Sequence, residues 1–289
     1  MLRIAQILVP VDFSSNSLLA VRHAAILARK FRSEVTLLHV NEIAVLHALT
    51  GPLGYGISSP ETVREEFLAH RRKELDAFGA SDLSGVTVTR QVSCGDAARN
   101  IVERGRKADL ILMPTHGYGP VRRLLLGSIT AKVLHDSDRA VWTCRPESEA
   151  AHDPSSIRHV MCAVNLWRKN HEIVHWAADF ARQYDARLTL VHAILPAPPE
   201  MPERYAFTWH GEARWGADEA LHALVRELQV PAEVMVIEGD APVALAAATK
   251  EHSADLLVIG RSHATNMIGR LGSHSYGIIC HAPCPVVSL

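Results

Sequence analysis

The feature that most restricts the fold is a long internal repeat. Val160-Met-Cys-Ala-Val-Asn165 repeats Ile7-Leu-Val-Pro-Val-Asp12 at an offset of 153 residues. At the same offset Ala177-Ala178 matches Ala24-Ala25, Ala181-Arg182 matches Ala28-Arg29, and Leu188–His192 matches Val35–His39. Further on, Gly239-Asp240 matches Gly95-Asp96 and Ala254–Ile259 matches Ala108–Met113. Gly272-Ser273 then matches Gly127-Ser128, and Pro285–Leu289 matches Arg139–Thr143. Blocks repeated in one order mean a duplicated domain. The spacing is far beyond the roughly 20–50 residues of a solenoid repeat, so each copy must bury its own core. Residues 1–146 and 157–289 are the expected domains, joined by the polar, proline-bearing stretch 145–156.

Within the first copy, Ile4–Val11 is a β-branched apolar run ending at Asp12, followed by good helix N-cap residues at Ser14-Ser-Asn-Ser17. Apolar residues then recur at helical spacing from Leu18 to Phe31, and Glu34–Val40 reads as a second strand. Residues 41–59 read as a loop with short helical pieces, Glu61–Phe78 as an amphipathic helix, and Val86–Val92 as a third strand. A helix from Gly95-Asp96 to Lys107 leads to strand four at Leu110–Met113, and Ala140–Cys144 is strand five. Apolar strands separated by helices describe a parallel sheet covered on both faces.

The chemistry concentrates between Pro114 and Ser128. A buried strand runs into a loop with Gly117, Gly119, Arg122 and Arg123, and Gly127-Ser128 then opens a helix. The first backbone N–H groups of a helix lack intrahelical acceptors and the helix dipole favours negative charge there, so this is the pattern of an anion site. It lacks Gly-x4-Gly-Lys-Ser/Thr, which excludes a P-loop.

Composition narrows the classes further. A net charge of −1 calls for no nucleic acid or anionic membrane partner. Five scattered cysteines make no secreted disulfide framework, no apolar run reaches the roughly 20 residues of a membrane span, and Met1–Pro10 does not resemble a signal peptide. The expected location is the cytoplasm, without membrane insertion.

At these residues the chain resembles the universal stress protein family in its tandem two-domain form. The family signature is Gly-x2-Gly-x9-Gly-Ser/Thr, with an Asp closing strand one. The first copy has Asp12, then Gly117, nine residues, and Gly127-Ser128; Pro114 stands where the signature has its first glycine. The resemblance implies two doubly wound α/β domains, each an open five-stranded parallel sheet of order 3-2-1-4-5 flanked by helices. It also implies an adenine nucleotide (ATP, ADP or AMP, with Mg2+) at the carboxyl ends of strands one and four. On that basis Val11 and Asp12 line the adenosine and metal side, Val40 touches adenine, Gly117 lets the backbone approach the ribose and first phosphate, and Thr115 is a further nucleotide-binding residue. Gly127, Ser128 and Ile129 present N–H groups to the outer phosphates, with Arg123 beside them. The family's edge strands further imply self-association, as an intrachain pseudo-dimer and a homodimer.

The second copy departs from this pattern. Asn165 replaces Asp12, Gly260 keeps the first glycine, His263 replaces Gly117, and only eight residues separate His263 from Gly272. Replacing a charged hydrogen bond by a neutral one costs roughly 1 kcal/mol, and a histidine forced into a left-handed conformation about 1–2 kcal/mol more. The expectation is therefore a stress-response protein with a regulatory nucleotide in its first half and a degenerate second site. The alternatives are a nucleotide-independent scaffold and a slow ATPase or phosphotransferase, for which no base or nucleophile is assignable. His171 and His175 have metal-ligand spacing without a third ligand and read as surface residues. His39 and His192, at matched strand ends, read as structural, and Cys280…Cys284 reads as a helix-to-strand turn.

Overall fold

The structure, a computed structural model, describes residues 2–41, 60–117, 125–145, 153–166, 171–198, 200–261 and 273–289. The chain divides into two compact units, Arg3–Pro146 and Glu147–Leu289 with Met1–Leu2. In the first, β1 (Gln6–Pro10), β2 (Glu34–Asn41), β3 (Val88–Cys94), β4 (Leu110–Pro114) and β5 (Ala140–Cys144) form a sheet in the order β3-β2-β1-β4-β5. All the neighbouring pairs within it are parallel. The described helices are α1 (Ser15–Phe31), α2 (Pro60–Ala77), α3 (Ala97–Gly105) and α4 (Ser128–Asp136).

The second unit repeats the order with β8 (Glu233–Glu238), β7 (Arg187–Ile194), β6 (His159–Ala163), β9 (Leu256–Ile259) and β10 (Val286–Ser288), again all parallel. Its helices are α5 (His171–Tyr184), α6 (Glu203–Leu228), α7 (Ala241–Glu251) and α8 (Ser273–His281). Every residue of β4 and β9 is buried, because both faces of a parallel sheet are covered by helices. Among the described residues no helix is long and apolar enough to cross a membrane.

The repeated residues have repeated jobs. The Asp109 carboxylate accepts from the N–H groups of Ala5 and Gln6 at 2.7 and 3.0 Å. Asp255 accepts from those of Arg158 and His159 at 2.8 and 2.9 Å. Each aspartate thus pins the entry of the central strand to the strand beside it. Gly95 and Gly239 hold φ of 129° and 133°, which a side chain resists, and each donates to the end of the neighbouring strand, Asn41 O at 2.9 Å and Ile194 O at 3.0 Å. The Gly-Asp pair recurs because this turn recurs.

One match shifts. Ile111 pairs with Val141, and its counterpart Leu257 pairs with Val286, so Pro285–Leu289 overlays Ala140–Cys144 rather than Arg139–Thr143. A short apolar strand reads equally well one residue along. Only the ladder to its neighbour fixes the register. The third strand likewise starts at Val88 rather than Val86. The expected loop beyond Asn41 lies outside the described residues.

Candidate functional site

The first unit's β1 connects onward to β2 on one side and lies against β4 on the other. Such a divergence leaves a crevice beyond the carboxyl ends of the two strands. Asp12 enters it two residues after β1. Its Oδ1 accepts from Ser14 N at 3.0 Å and Ser14 Oγ at 2.5 Å, and Ser14 Oγ accepts from Ser17 N at 3.1 Å as the cap of α1. The Ser14–Ser17 run therefore orients the carboxylate as well as starting the helix.

The far wall comes from the end of β4. Gly117 carries no side chain because a Cβ there would collide with Asp12 Oδ2. Its φ lies outside the left-handed region. The expectation that a left-handed backbone is what this position needs is thus corrected for Gly117: close approach to the carboxylate excludes a Cβ here. The Asn16 side chain reaches across to Gly117 O at 3.4 Å.

The helix start completes the crevice. Gly127 N donates to Thr115 O at 2.8 Å, and Thr130 Oγ1 donates to Pro114 O at 3.1 Å, which draws α4 against the end of β4. Gly127 caps the helix with no side-chain hydrogen bond. The N–H groups of the first turn, Ser128 and Ile129 included, receive no capping side chain from Gly127 and lie in a field that favours anions. Pro114 sits comfortably as the last residue of β4, its carbonyl used by Thr130.

Val11 is buried and donates to Leu38 O at 2.8 Å. Val40, half-buried, lies near the end of β2. His39 ties the two strands together, its Nδ1–H donating to the Val11 carbonyl at 2.8 Å. In the tautomer with the proton on Nδ1, Nε2 accepts, and its neighbour 3.1 Å away is the Asn41 amide. Turning that amide to present its NH2 satisfies the ring and the otherwise unpaired Asn41 Nδ2 together. His192 makes the same bond to the Val164 carbonyl at 2.8 Å, so the matched histidines are structural locks.

The structure thus brings Val11, Asp12, Thr115, Gly117, Gly127, Ser128 and Ile129 to one end of the sheet, with Val40 on the next strand. Arg122 and Arg123 lie outside the described residues, as do His263 and Gly272. Sequence reasoning missed Phe13. It follows Asp12 with φ of 65°, held by ring contacts to His39 at 4.4 Å and Phe78 at 5.5 Å. Arg71 lies 5.6 Å from the same ring. No sequence signal assigns a left-handed turn to a bulky aromatic residue.

The second unit keeps the frame and changes the contents. Ser275 Oγ donates to Gly260 O at 3.3 Å where Thr130 meets Pro114, and Arg261 N donates to Leu289 O at 2.7 Å where Thr115 N meets Cys144 O. A buried arginine, Arg261, occupies the place of buried Thr115, and Leu166 lacks the positive φ of Phe13. Of the histidine pair, His171 faces Glu227 at 3.3 Å on the surface. Among the described residues no cluster of three His, Cys, Asp or Glu could hold a metal.

A duplicated doubly wound α/β protein, with a glycine-lined crevice beyond β1 and β4, is the class that these features define. The model of the universal stress protein family matches residues 4–145 and again 156–288, so the chain belongs to the universal stress protein family, with two such domains in tandem. A universal stress protein of Mycolicibacterium smegmatis is 28% identical over 147 residues, 51% of this chain and 50% of that protein. One from Methanocaldococcus jannaschii is 31% identical over 134 residues, 46% of this chain and 76% of the other. The chain thus spans about half the length of the first relative and three quarters of the second. The crystal structure of a universal stress protein from Archaeoglobus fulgidus shares the fold over 99% of this chain and 96% of its own, with a TM-score of 0.68 at 20% identity.

Proposed function

We propose that the first unit binds an adenine nucleotide, with ATP the preferred form, as a regulatory ligand, and that the second unit does not. The observation that carries this is Gly117 against the Asp12 carboxylate, facing a helix start capped by a residue without a side chain. In this reading Val11 and Val40 flank the base and Asp12 accepts from a ribose hydroxyl. Thr115 and Gly117 border the first phosphate, and Gly127, Ser128 and Ile129 donate N–H groups to the outer ones, with Arg123 beside them. Mg2+ fits as a companion of the phosphates: Asp12 is a single carboxylate with one oxygen already held by Ser14, and magnesium bound this way takes most of its ligands from phosphate and water. When bound, it neutralises phosphate charge.

A micromolar ligand needs about −8 kcal/mol, whereas a helix dipole supplies about 0.3–1 kcal/mol. The charge-assisted bonds and the buried base therefore have to act together. Two features disfavour the second unit: Asn165 removes the charge, and Arg261 fills the place of Thr115 with a larger buried side chain. Asp12 keeps one oxygen on Ser14, and in this reading the ligand acts by stabilising one state of the protein rather than by turning over. Self-association of the chain belongs to the same proposal.

The test is nucleotide analysis of the heat-released extract from purified protein, then calorimetric titration with Mg-ATP. The expected result is one nucleotide per chain, without multiple turnovers, and binding weakened in Asp12→Ala. No released nucleotide together with no binding of ATP favours the scaffold reading; two per chain contradicts the asymmetry.

A further inference from the structure

At the opposite end of the second unit, where β6 and β7 begin, lies a basic concavity of about 450 Å³. Arg158, Arg187 and Lys250 line it, together with His159, His252 and Asp255. Arg158, Arg187 and Lys250 are exposed, and His159 is 3% exposed. Arg187 is anchored, with Nη2 3.0 Å from His159 Nδ1 and donating to His252 O at 3.1 Å. Among the described residues, no carboxylate pairs with Arg158, Arg187 or Lys250. The one lining carboxylate, Asp255, spends Oδ2 on the N–H groups of Arg158 and His159.

The first unit is an internal comparison. At the offset of 153 residues, Arg158, His159 and Arg187 stand where it has Ala5, Gln6 and Glu34. There Gln6 Nε2 donates to Glu34 Oε2 at 2.9 Å, so the corresponding place carries an amide bonded to an acid. The strand-entry frame, with Asp109 or Asp255 as its clamp, is the same in both. The fold therefore needs neither guanidinium: at the matched strand entries one acid has given way to two arginines with the frame intact, while Lys250 matches Arg104 at the end of the neighbouring helix.

We propose that this concavity binds a phosphoryl oxyanion, either inorganic phosphate or the phosphate end of a small phosphomonoester. Two guanidinium groups and an ammonium around one hollow suit a compact tetrahedral dianion, since arginine meets phosphate oxygens in a fixed fork and lysine adds a point charge. Arg187 is held through Nη2, and its Nε and Nη1 are further donors of the same guanidinium. This site is independent of the crevice beyond β1 and β4 and lies in the other unit.

The test uses the full-length, 15N-labelled chain at constant ionic strength, titrated separately with inorganic phosphate and glycerol phosphate while backbone amide shifts are followed. The expected result is saturable shifts at Arg158, Arg187 and residues 250–253, with a Kd raised about tenfold in Arg158→Ala/Lys250→Ala and the remaining spectrum unchanged. Tighter binding of glycerol phosphate assigns an ester; tighter binding of phosphate assigns the free ion. Shifts that only follow ionic strength, that persist with the same Kd in the double variant, or that fall solely on residues 117 and 127–129 overturn the proposal.

Discussion

Gly127→Ala separates a glycine that serves a ligand from one that serves the chain. A Cβ at this position would meet Thr115 O at 3.4 Å, His116 Cα at 3.6 Å and Thr130 Oγ1 at 3.7 Å, all ordinary contacts. The backbone, at φ −58° and ψ 145°, suits alanine. Alanine is the poorer N-cap by up to about 1 kcal/mol, and the stiffer unfolded chain offsets about 0.4–1 kcal/mol of that. Stability should change by less than about 1 kcal/mol, a Tm shift within about 4 °C. The methyl group, however, stands between the Thr115–His116 backbone and Thr130 at the helix start, where the proposed phosphates approach. Losing one charge-assisted bond costs about 1.5–3 kcal/mol, so ATP affinity should fall roughly 10–100-fold. Gly117→Ala should differ, because its methyl runs into Asp12 Oδ2 and must displace the carboxylate from Ser14. That variant should lose about 1.5–3 kcal/mol of stability as well as affinity. Calorimetric titration with Mg-ATP and thermal melts of both proteins make the comparison. Wild-type affinity in Gly127→Ala, or a stability loss as large as that of Gly117→Ala, would refute the assignment of Gly127 to the ligand.

The other predictions concern the frame. His39→Phe and His192→Phe should each cost about 1–3 kcal/mol in urea unfolding, because each orphans a buried strand-end carbonyl, and only His39→Phe should weaken ATP binding. Burial pushes His159 below its ordinary pKa, with the Arg187 charge acting the same way. The unfolded chain therefore takes up the proton first, and the stability supplied by the neutral ring is present above about pH 6.5 and lost as pH falls below it. Urea midpoints at pH 7.5 and 5.5 should fall further for the native chain than for His159→Gln. Burial pushes the thiols of Cys162 and Cys284 up to about 12, so a thiol reagent at pH 8 should leave both untouched in the folded protein and modify half-buried Cys94 first.

Much of this molecule is written in local pattern. The duplication, the parallel sheets and the helix starts at Ser14 and Asp96 follow from apolar runs, capping residues and their recurrence, all of which act over a few residues. The paired Ala-Asp and Gly-Asp blocks could be seen to repeat, and His39 with His192 could be read as structural, before any partner was known. What each partner is depends on which strand ends meet. Tertiary packing set Asp12 against Gly117 across 105 residues of chain, made close approach rather than backbone conformation the reason for the glycine, and fixed strand five by its ladder. It also put Phe13 in a left-handed turn against His39, Phe78 and Arg71, and gathered Arg158, Arg187 and Lys250 around one hollow from three separate stretches of chain. Sequence encodes the short-range preferences of a chain directly. Contacts between distant residues exist only once the sheet has brought its ends together.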